Sequence, residues 1–215
     1  MAILRIGART RSDVLTELAS AEYPDGSVPT TQELVMLAVF LFAAGQDTSA
    51  KLLGNAILYL AENTAMQATL REYPVKIHAF IEEMLRLEGS TKVTFRVARK
   101  DTHIGDVAVP AGTRVVSSLA GANHDPARWA DPHAFVLERP KIMEHLAFGR
   151  GAHTCIGAAL ARAEVRVILE RLLARTSRIA LSEAHHGPPG KRELHYEPSY
   201  IIRGLESLHV ELTGK

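Results

Sequence analysis

The sequence predicts an α+β fold that is mainly α with small β-sheets. Three stretches show helical patterning, and several short strand candidates lie between the second and the third. The chain has 215 residues, of which 47% are hydrophobic, so it can bury a substantial core. We therefore expect a single domain over residues 1–215.

The first helical stretch is long and follows a loop. Residues 1–29 have mixed polarity and end in the turn-rich run YPDGSVP. Thr30 and Glu33 have the spacing of a capping box, and helical patterning continues from there to residue 63. The first half of this helix is apolar on all sides, which predicts that other elements enclose it.

Composition limits the partners and the location of the protein. The net charge is +1, with 25 basic and 24 acidic residues, so we expect no general attraction to nucleic acid or to an anionic membrane. The chain start lacks an apolar signal core, and the longest near-continuous apolar run, residues 34–44, is too short to span a bilayer. A single cysteine cannot form an internal disulfide, which favours a cytoplasmic location.

The remaining elements follow in order along the chain. A second helix covers residues 73–89, with Pro74 near its first turn and an apolar stripe at Ile77, Ile81, Met84 and Leu85. Strand candidates lie in VTFRVA, THIGDVAVP and TRVVSSLA. Residues 121–147 form a long irregular connection, a third helix begins directly after Cys155, and the tail has the pattern of a loop and a terminal hairpin.

The only cysteine lies in the run FGRGAHTCIG, where a glycine-rich loop becomes a helix. The positive end of the helix dipole faces such a position, which suits a thiolate. Gly149 allows an unusual backbone, Phe148 supplies an apolar wall, and Gly157 leaves space beside the sulfur of Cys155 for something flat. A nucleophile with a histidine base, a ligand of heme iron and an inert buried thiol are all compatible with the loop alone.

FGRGAHTCIG is similar at every fixed position to the cysteine-ligand loop of the cytochrome P450 superfamily, Phe-Gly-x-Gly-x-His-x-Cys-x-Gly. The resemblance implies that Cys155 is the thiolate ligand of the iron in heme b and that His153 contacts a heme propionate. It also implies the C-terminal half of that fold, with a long central helix, a Glu-x-x-Arg helix, an irregular segment, the cysteine loop and a following helix.

A second run, AAGQDTS, places polar groups in the long apolar helix, where burial would be costly. Alone, it is equally compatible with an exposed polar turn. It resembles the central-helix motif of the same family. The resemblance implies that Ala44 and Gly45 leave room for oxygen above the heme and that Asp47 and Thr48 assist proton delivery.

Glu83 and Arg86 lie three residues apart on the second helix. By spacing alone, an exposed ion pair of small energetic effect is the favoured interpretation. Their position resembles the Glu-x-x-Arg helix of the family, whose pair is joined by an arginine of the irregular segment, here Arg139 in FVLERP. The resemblance implies a structural trio that supports the cysteine loop.

Further candidates rest on the same resemblance. Arg96 matches an arginine that contacts a heme propionate in bacterial members, and an exposed strand arginine is the equal alternative. Four residues are candidates for substrate contact, with a core role equally open to the apolar ones: Val93, Thr94, Tyr200 and Ile201.

The resemblance starts near residue 30 and covers only half of the family fold. We therefore expect a heme-thiolate monooxygenase that hydroxylates a small apolar substrate with electrons from a ferredoxin or flavoprotein. It would belong to a longer protein or to an assembly, through self-association or a missing N-terminal half. The alternative is a truncated, non-catalytic relative that acts as an oligomeric or interaction module with weak or no heme binding. A Cys155–His153 hydrolase is disfavoured because no orienting acid is evident.

Overall fold

The structure, a computed structural model, describes residues 13–215. Contacts divide the chain into two compact units, Met1–Asp47 and Thr48–Lys215. The predicted loop over residues 1–29 lies partly outside the described residues, and its described part contains a short helix, α1 (Val14–Ala19). Asp13 caps this helix by accepting a hydrogen bond of 2.8 Å from the Thr16 amide.

The long helix α2 (Thr31–Glu62) begins as predicted, with a capping box. The Thr30 amide donates to a Glu33 carboxylate oxygen at 2.8 Å, and the Glu33 amide donates back to the Thr30 hydroxyl at 3.2 Å. These reciprocal bonds satisfy two backbone donors that a helix start leaves unpaired.

The first half of α2 is not enclosed, which contradicts the expectation from its apolar sequence. The exposed fractions are 65% for Met36, 63% for Phe40 and 71% for Phe42. Among the described residues, α2 is also the one helix long and apolar enough to cross a membrane by length and composition. The core helices of soluble proteins pass the same test, so this places no bilayer around it.

Two helices follow α2. Helix α3 (Thr64–Glu72) was not predicted, although Asn63 caps it by accepting from the Met66 amide at 2.9 Å. A 3₁₀ turn, Pro74–Lys76, then leads into α4 (Ile77–Glu88), and the whole predicted stripe of α4 is buried.

Short antiparallel strand pairs follow α4. Strand β1 (Val93–Val97) pairs with β4 (Arg114–Ser118), and β2 (Thr102–Ile104) pairs with β3 (Val107–Val109). The three predicted strand segments therefore form two small sheets, with the second segment folded into a hairpin. A short helix, α5 (Leu119–Asn123), starts where the last segment was expected to remain extended.

The C-terminal part holds a third sheet that the sequence did not indicate. Helix α6 (Ala158–Arg175) runs directly into β5 (Thr176–Leu181), and a short α7 (Glu183–His186) follows. Strand β5 pairs antiparallel with β6 (Val210–Gly214) across the whole tail. The predicted terminal hairpin is therefore wrong, because the partner of the last strand precedes the tail.

The main core lies within residues 48–215. The second half of α2 contributes residues at four-residue spacing, which share one helix face, and α6 does the same. Helix α4 buries its stripe between them. The core residues are Leu52, Ala56, Leu60, Leu70, Ile77, Phe80, Ile81, Met84, Leu85, Val165, Leu169, Leu173 and Ile179.

Gln67 of α3 links this core to β5. Its side chain is almost fully buried, and its amide nitrogen donates to the carbonyls of Leu60 and Ile179, both at 2.7 Å. Its oxygen accepts from the Ile179 amide at 3.0 Å and from the Arg71 guanidinium at 3.2 Å. One side chain therefore satisfies backbone groups at the end of α2 and in β5.

We expect the substitution Gln67→Ala to lower the free energy of unfolding by about 2–4 kcal/mol, because it removes the bonds to the buried amide and carbonyl of Ile179 and one of the two bonds to the Leu60 carbonyl. Urea denaturation followed by circular dichroism measures this change. Gln32→Ala, on the exposed side of α2, is the control and should change stability by less than about 0.5 kcal/mol. Equal losses in both variants would contradict the role assigned to Gln67.

Candidate functional site

The conformation of the cysteine loop is determined by its own backbone. The Cys155 amide donates to the Phe148 carbonyl at 2.9 Å, which closes the loop between the two residues. Gly149 and Gly151 have φ angles of 68° and 80°, in the left-handed region that side chains disfavour. A 3₁₀ turn, Gly151–His153, fills the middle of the loop. The glycines are thus required by the path of the chain.

The sulfur of Cys155 is accessible at the start of α6, because the cysteine is exposed and not packed in the core. Helix α6 begins at Ala158 with Gly157 as its cap, so it starts two residues later than the predicted start directly after Cys155. A Cβ added to Gly157 would lie 3.8 Å from the sulfur, so the glycine leaves that side of the sulfur bare. The next residue, Ile156, is 92% exposed.

A buried carboxylate supports the loop region from the side of α4. Glu83 is 0% exposed, and its two oxygens accept from the Arg86 guanidinium at 3.0 and 2.8 Å. Arg139 donates to the same oxygens at 3.0 and 3.1 Å, and the Val136 amide adds a bond of 3.0 Å. The favoured spacing-based interpretation, an exposed pair, is wrong, because the trio is buried and extensively hydrogen-bonded.

The two arginines also bind the irregular segment. Arg86 donates to the carbonyls of Asn123 and Pro132 at 2.8 and 2.7 Å. Arg139 donates to the Ala134 carbonyl at 2.8 Å and also to the Ala130 carbonyl. A segment without regular structure therefore has its carbonyls fixed by charged donors, and it leads to the cysteine loop along a defined path.

A second buried carboxylate, that of the adjacent residue Glu82, binds residues on either side of the cysteine loop. Glu82 accepts from the Arg162 guanidinium at 2.7 and 2.9 Å and from the His145 ring at 2.9 Å. The Arg162 guanidinium lies 4.6 Å from the centroid of the Phe148 ring, a cation–π arrangement. Helices α4 and α6 and the start of the loop are thereby joined by one charged cluster.

Glu82, His145 and Arg162 were not predicted from the sequence. Their separations of 63 and 80 residues leave no local pattern. The one available signal was the run of two acidic residues, Glu82 and Glu83. Adjacent helical positions face different directions, so two neighbouring carboxylates within an apolar stripe indicate two buried partners on two sides.

The other predicted site residues fall into separate groups. On α2, Ala44, Gly45 and Asp47 are exposed and Thr48 is half-buried, so the expected burial conflict in this run is absent. The buried polar residues of the helix, Lys51 and Asn55, come further along.

Exposed Arg96 lies on β1 and donates to the Phe95 carbonyl at 2.8 Å, while His153 is exposed in the cysteine loop. The candidate substrate residues come from two neighbouring segments. Val93 and Thr94 begin β1, immediately after Lys92, whose amide donates to the Ile201 carbonyl at 2.8 Å. Tyr200, next to Ile201, is 70% exposed. The two segments that carry the four candidate substrate residues are therefore adjacent in the structure.

The residues of the loop fit a heme. In residues 13–215, no three histidine, cysteine, aspartate or glutamate side chains gather to hold an ion. A single exposed cysteine beside a glycine suits an iron whose other donors belong to a porphyrin. Cys155 would provide the sulfur, Phe148 and Gly157 the neighbouring surface, and His153 a hydrogen-bond donor.

The lowered pKa of Glu82 predicts that the fold loses stability in acid. Burial opposes its ionisation, but the hydrogen bonds from His145 and Arg162 outweigh burial and lower its pKa to about 2. A lowered folded-state pKa stabilises the fold above the ordinary glutamate value, and this stability is lost as the pH falls from about 4.5 towards 2. Between pH 6 and pH 3 the loss from this group should be about 2 kcal/mol.

Urea denaturation of the wild-type chain and the Glu82→Gln variant at both pH values measures this loss. The stability gap between the two proteins should narrow by about 2 kcal/mol at pH 3, because glutamine does not titrate. Glu170→Gln, which removes an exposed carboxylate paired with Arg166, is the control for a surface charge. A gap that stays constant with pH would contradict the role of Glu82.

Comparison with known proteins gives one consistent result. The family profile described as Cytochrome P450 matches residues 77–185. Cytochrome P450 109 of Bacillus spizizenii is 34% identical over 208 residues, which cover 97% of this chain and 49% of that protein. The solved structure of Mycobacterium marinum CYP150A6, in its substrate-free form, matches with a TM-score of 0.92 and 48% identity over 99% of this chain and 53% of that one.

A third relative was solved with a ligand. CYP109E1 from Bacillus megaterium in complex with corticosterone matches with a TM-score of 0.86 and 28% identity, over 98% of this chain and 55% of that one. These matches confirm the predicted fold class, mainly α with small β-sheets, and the chain spans about half the length of the relatives that it matches. Proteins of this kind bind heme b and act in general as heme monooxygenases. The chain belongs to the cytochrome P450 family.

Proposed function

We propose that this chain supplies the thiolate-ligand half of a heme monooxygenase, as part of a longer protein or of an assembly. The observation that carries the proposal is the accessible sulfur of Cys155, held beside Gly157 at the start of α6 by a loop with two left-handed glycines. A thiol retained only for packing would be buried and would not need such a loop.

Several residues would hold the cofactor. Cys155 would bind the iron of heme b, while His153 and Arg96 would donate to the propionates. Phe148 and Gly149 would lie beside the porphyrin. The buried carboxylates Glu82 and Glu83 would act indirectly, because they fix the segments before and after the cysteine loop.

When bound, heme b supplies oxygen activation and the insertion of one oxygen atom into a substrate C–H bond. The chain itself moves protons and provides space. The Asp47 carboxylate takes protons from solvent, to which it is exposed, and the Thr48 hydroxyl passes them on because it both donates and accepts. Ala44 and Gly45 have too little side chain to obstruct this part of α2.

The substrate class is proposed to be small and apolar. Val93 and Thr94 on β1, with Tyr200 and Ile201 in the tail, present aliphatic and aromatic surface with hydroxyl groups for orientation. The relative CYP109E1 was solved in complex with corticosterone, which supports a substrate site in this family for small organic molecules. A ferredoxin or a flavoprotein would supply the electrons, and the cytoplasm is the proposed location.

A second function is favoured by one observation. The exposed apolar side chains of residues 35–42 on α2 could bind a second copy of the chain or a separate N-terminal half. In that case, the chain is a non-catalytic relative that acts as an interaction module and holds heme weakly or not at all.

A carbon monoxide difference spectrum tests the first function. The purified chain, reconstituted with heme and reduced, should show the red-shifted Soret band of thiolate ligation, and Cys155→Ser should abolish it, because a hydroxyl does not replace a thiolate donor. Thr154→Ser, which keeps the neighbouring hydroxyl, is the matched control and should retain the band. Heme that is never retained by the wild-type chain would exclude catalysis by this chain alone.

Size-exclusion chromatography tests the exposed face of α2. We expect the wild-type chain to elute as an oligomer and the double variant Met36→Glu and Phe40→Glu to elute as a monomer, since two charges oppose burial of that face. Val75→Glu, at a valine that is 83% exposed outside this helix, should leave the oligomer intact. A monomeric wild-type chain would contradict self-association.

A further inference from the structure

A loop in the tail is joined to α2 by a buried lysine. The tail loop, residues 195–206, is closed at its base by two backbone bonds of 3.0 Å, from Glu206 to His195 and from Glu197 to Gly204. Its tip carries Tyr200 and Ile201. The tip is therefore presented on a short hairpin-like base.

Lys51 contacts this base in two ways. Its ammonium lies 3.0 Å from a Glu197 carboxylate oxygen, and only 6% of its side chain is exposed. Gly204 packs against the stem of Lys51 so closely that a Cβ there would overlap Cβ, Cγ and Cδ of the lysine. We call this ion pair and this packing contact the Lys51 clamp.

The loop is also held by residues 88–92, which lie at and after the end of α4. The Lys92 ammonium donates to the Ser199 carbonyl at 3.0 Å, and the Arg203 amide donates to the Ser90 carbonyl at 2.6 Å. Arg203 also pairs with Glu88 at 2.7 Å. The loop is thus bound both to the segment that leads into β1 and to α2.

The two attachments differ in what they transmit. The contacts with residues 88–92 hold the loop next to Val93 and Thr94. The Lys51 clamp instead fixes the loop relative to α2, on which Lys51 follows Thr48 by three residues. A lysine that is almost fully buried must keep its charge close to an acceptor, so the base of the loop cannot lift without a large penalty at Lys51.

We propose that Lys51 is a positioning residue, which sets the distance between the tail loop and α2 and thereby contributes to substrate selection. This inference rests on the proposed function, because only that function assigns substrate contacts to Tyr200 and Ile201. The position of the tail loop sets the shape of the proposed substrate pocket. Loosening the Lys51 clamp therefore changes the discrimination between small and bulky ligands more than it changes the structure of the rest of the chain.

Hydrogen–deuterium exchange of the heme-free chain tests the positioning. In Lys51→Met, which keeps the length of the stem and removes the charge, amides of residues 195–206 should exchange about tenfold faster, while those of α6 and β5 change less than twofold. Lys76→Met, which removes an exposed pair with Glu138, is the matched control and should leave the loop unchanged. Unchanged exchange in the loop, or an even rise throughout the chain, would overturn the proposal.

Gly204→Ala approaches the same contact from the other side. Its Cβ must displace the Lys51 stem, so the loop should loosen as in Lys51→Met, and this variant decides the question if Lys51→Met does not fold. The double variant Lys51→Met and Glu197→Gln should show no faster loop exchange than Lys51→Met alone, because the side chains of Lys51 and Glu197 act as one unit. Additive effects in the double variant would overturn the ion pair as the cause.

Ligand discrimination is measured on the heme-loaded chain with imidazole and 4-phenylimidazole, two iron ligands that differ in bulk. The ratio of their dissociation constants, from Soret titrations, should change at least about threefold in Lys51→Met and not in Lys76→Met. A loosened loop with an unchanged ratio would overturn the role in selection. Failure of the wild-type chain to take up heme counts against the proposed function, whereas the exchange measurements still decide the positioning.

Discussion

The architecture around Cys155 depends on the burial of one carboxylate, that of Glu83, in the middle of α4. A charge in that position is tolerated only if donors surround it, and Arg86 and Arg139 provide them. Each arginine has further N–H groups, and these bind carbonyls of residues 123–134. The carboxylate therefore organises a stretch of chain that has almost no regular structure of its own.

Glu82 extends the same principle to the cysteine loop. Since it points away from Glu83, its donors come from other parts of the chain, namely His145 before the loop and Arg162 after it. The loop is held between these two residues, while its glycines satisfy its internal geometry. Rigid charged contacts outside the loop and a permissive backbone inside it together leave the sulfur exposed in a fixed position.

Local signals predicted the parts of this arrangement that depend on nearby residues. The stripe of α4, the capping box at Thr30 and the cysteine motif all lie within one or two helical turns, so their patterns are visible in the sequence. The structural trio of Glu83, Arg86 and Arg139 was predictable only through the family resemblance, because spacing alone favours an exposed pair, and neither signal predicted its burial.

The failures have a common physical origin in distant contacts. The enclosure of α2 was inferred from composition, which indicates what a helix can bury but not whether a partner is present. Strand β5 was missed because its pairing with β6 and its link to Gln67 join residues far apart in the sequence. The Lys51 contact with the tail loop is equally non-local.

The pairing of β5 with β6 has a consequence for synthesis on the ribosome. Strand β5 directly follows α6, but its partner strand β6 lies beyond residues 182–209. The edge of β5 that pairs with β6 is therefore free until those residues and β6 have been synthesised. Until then the nascent chain presents a strand edge that can pair with another chain, while the cysteine loop upstream is already complete.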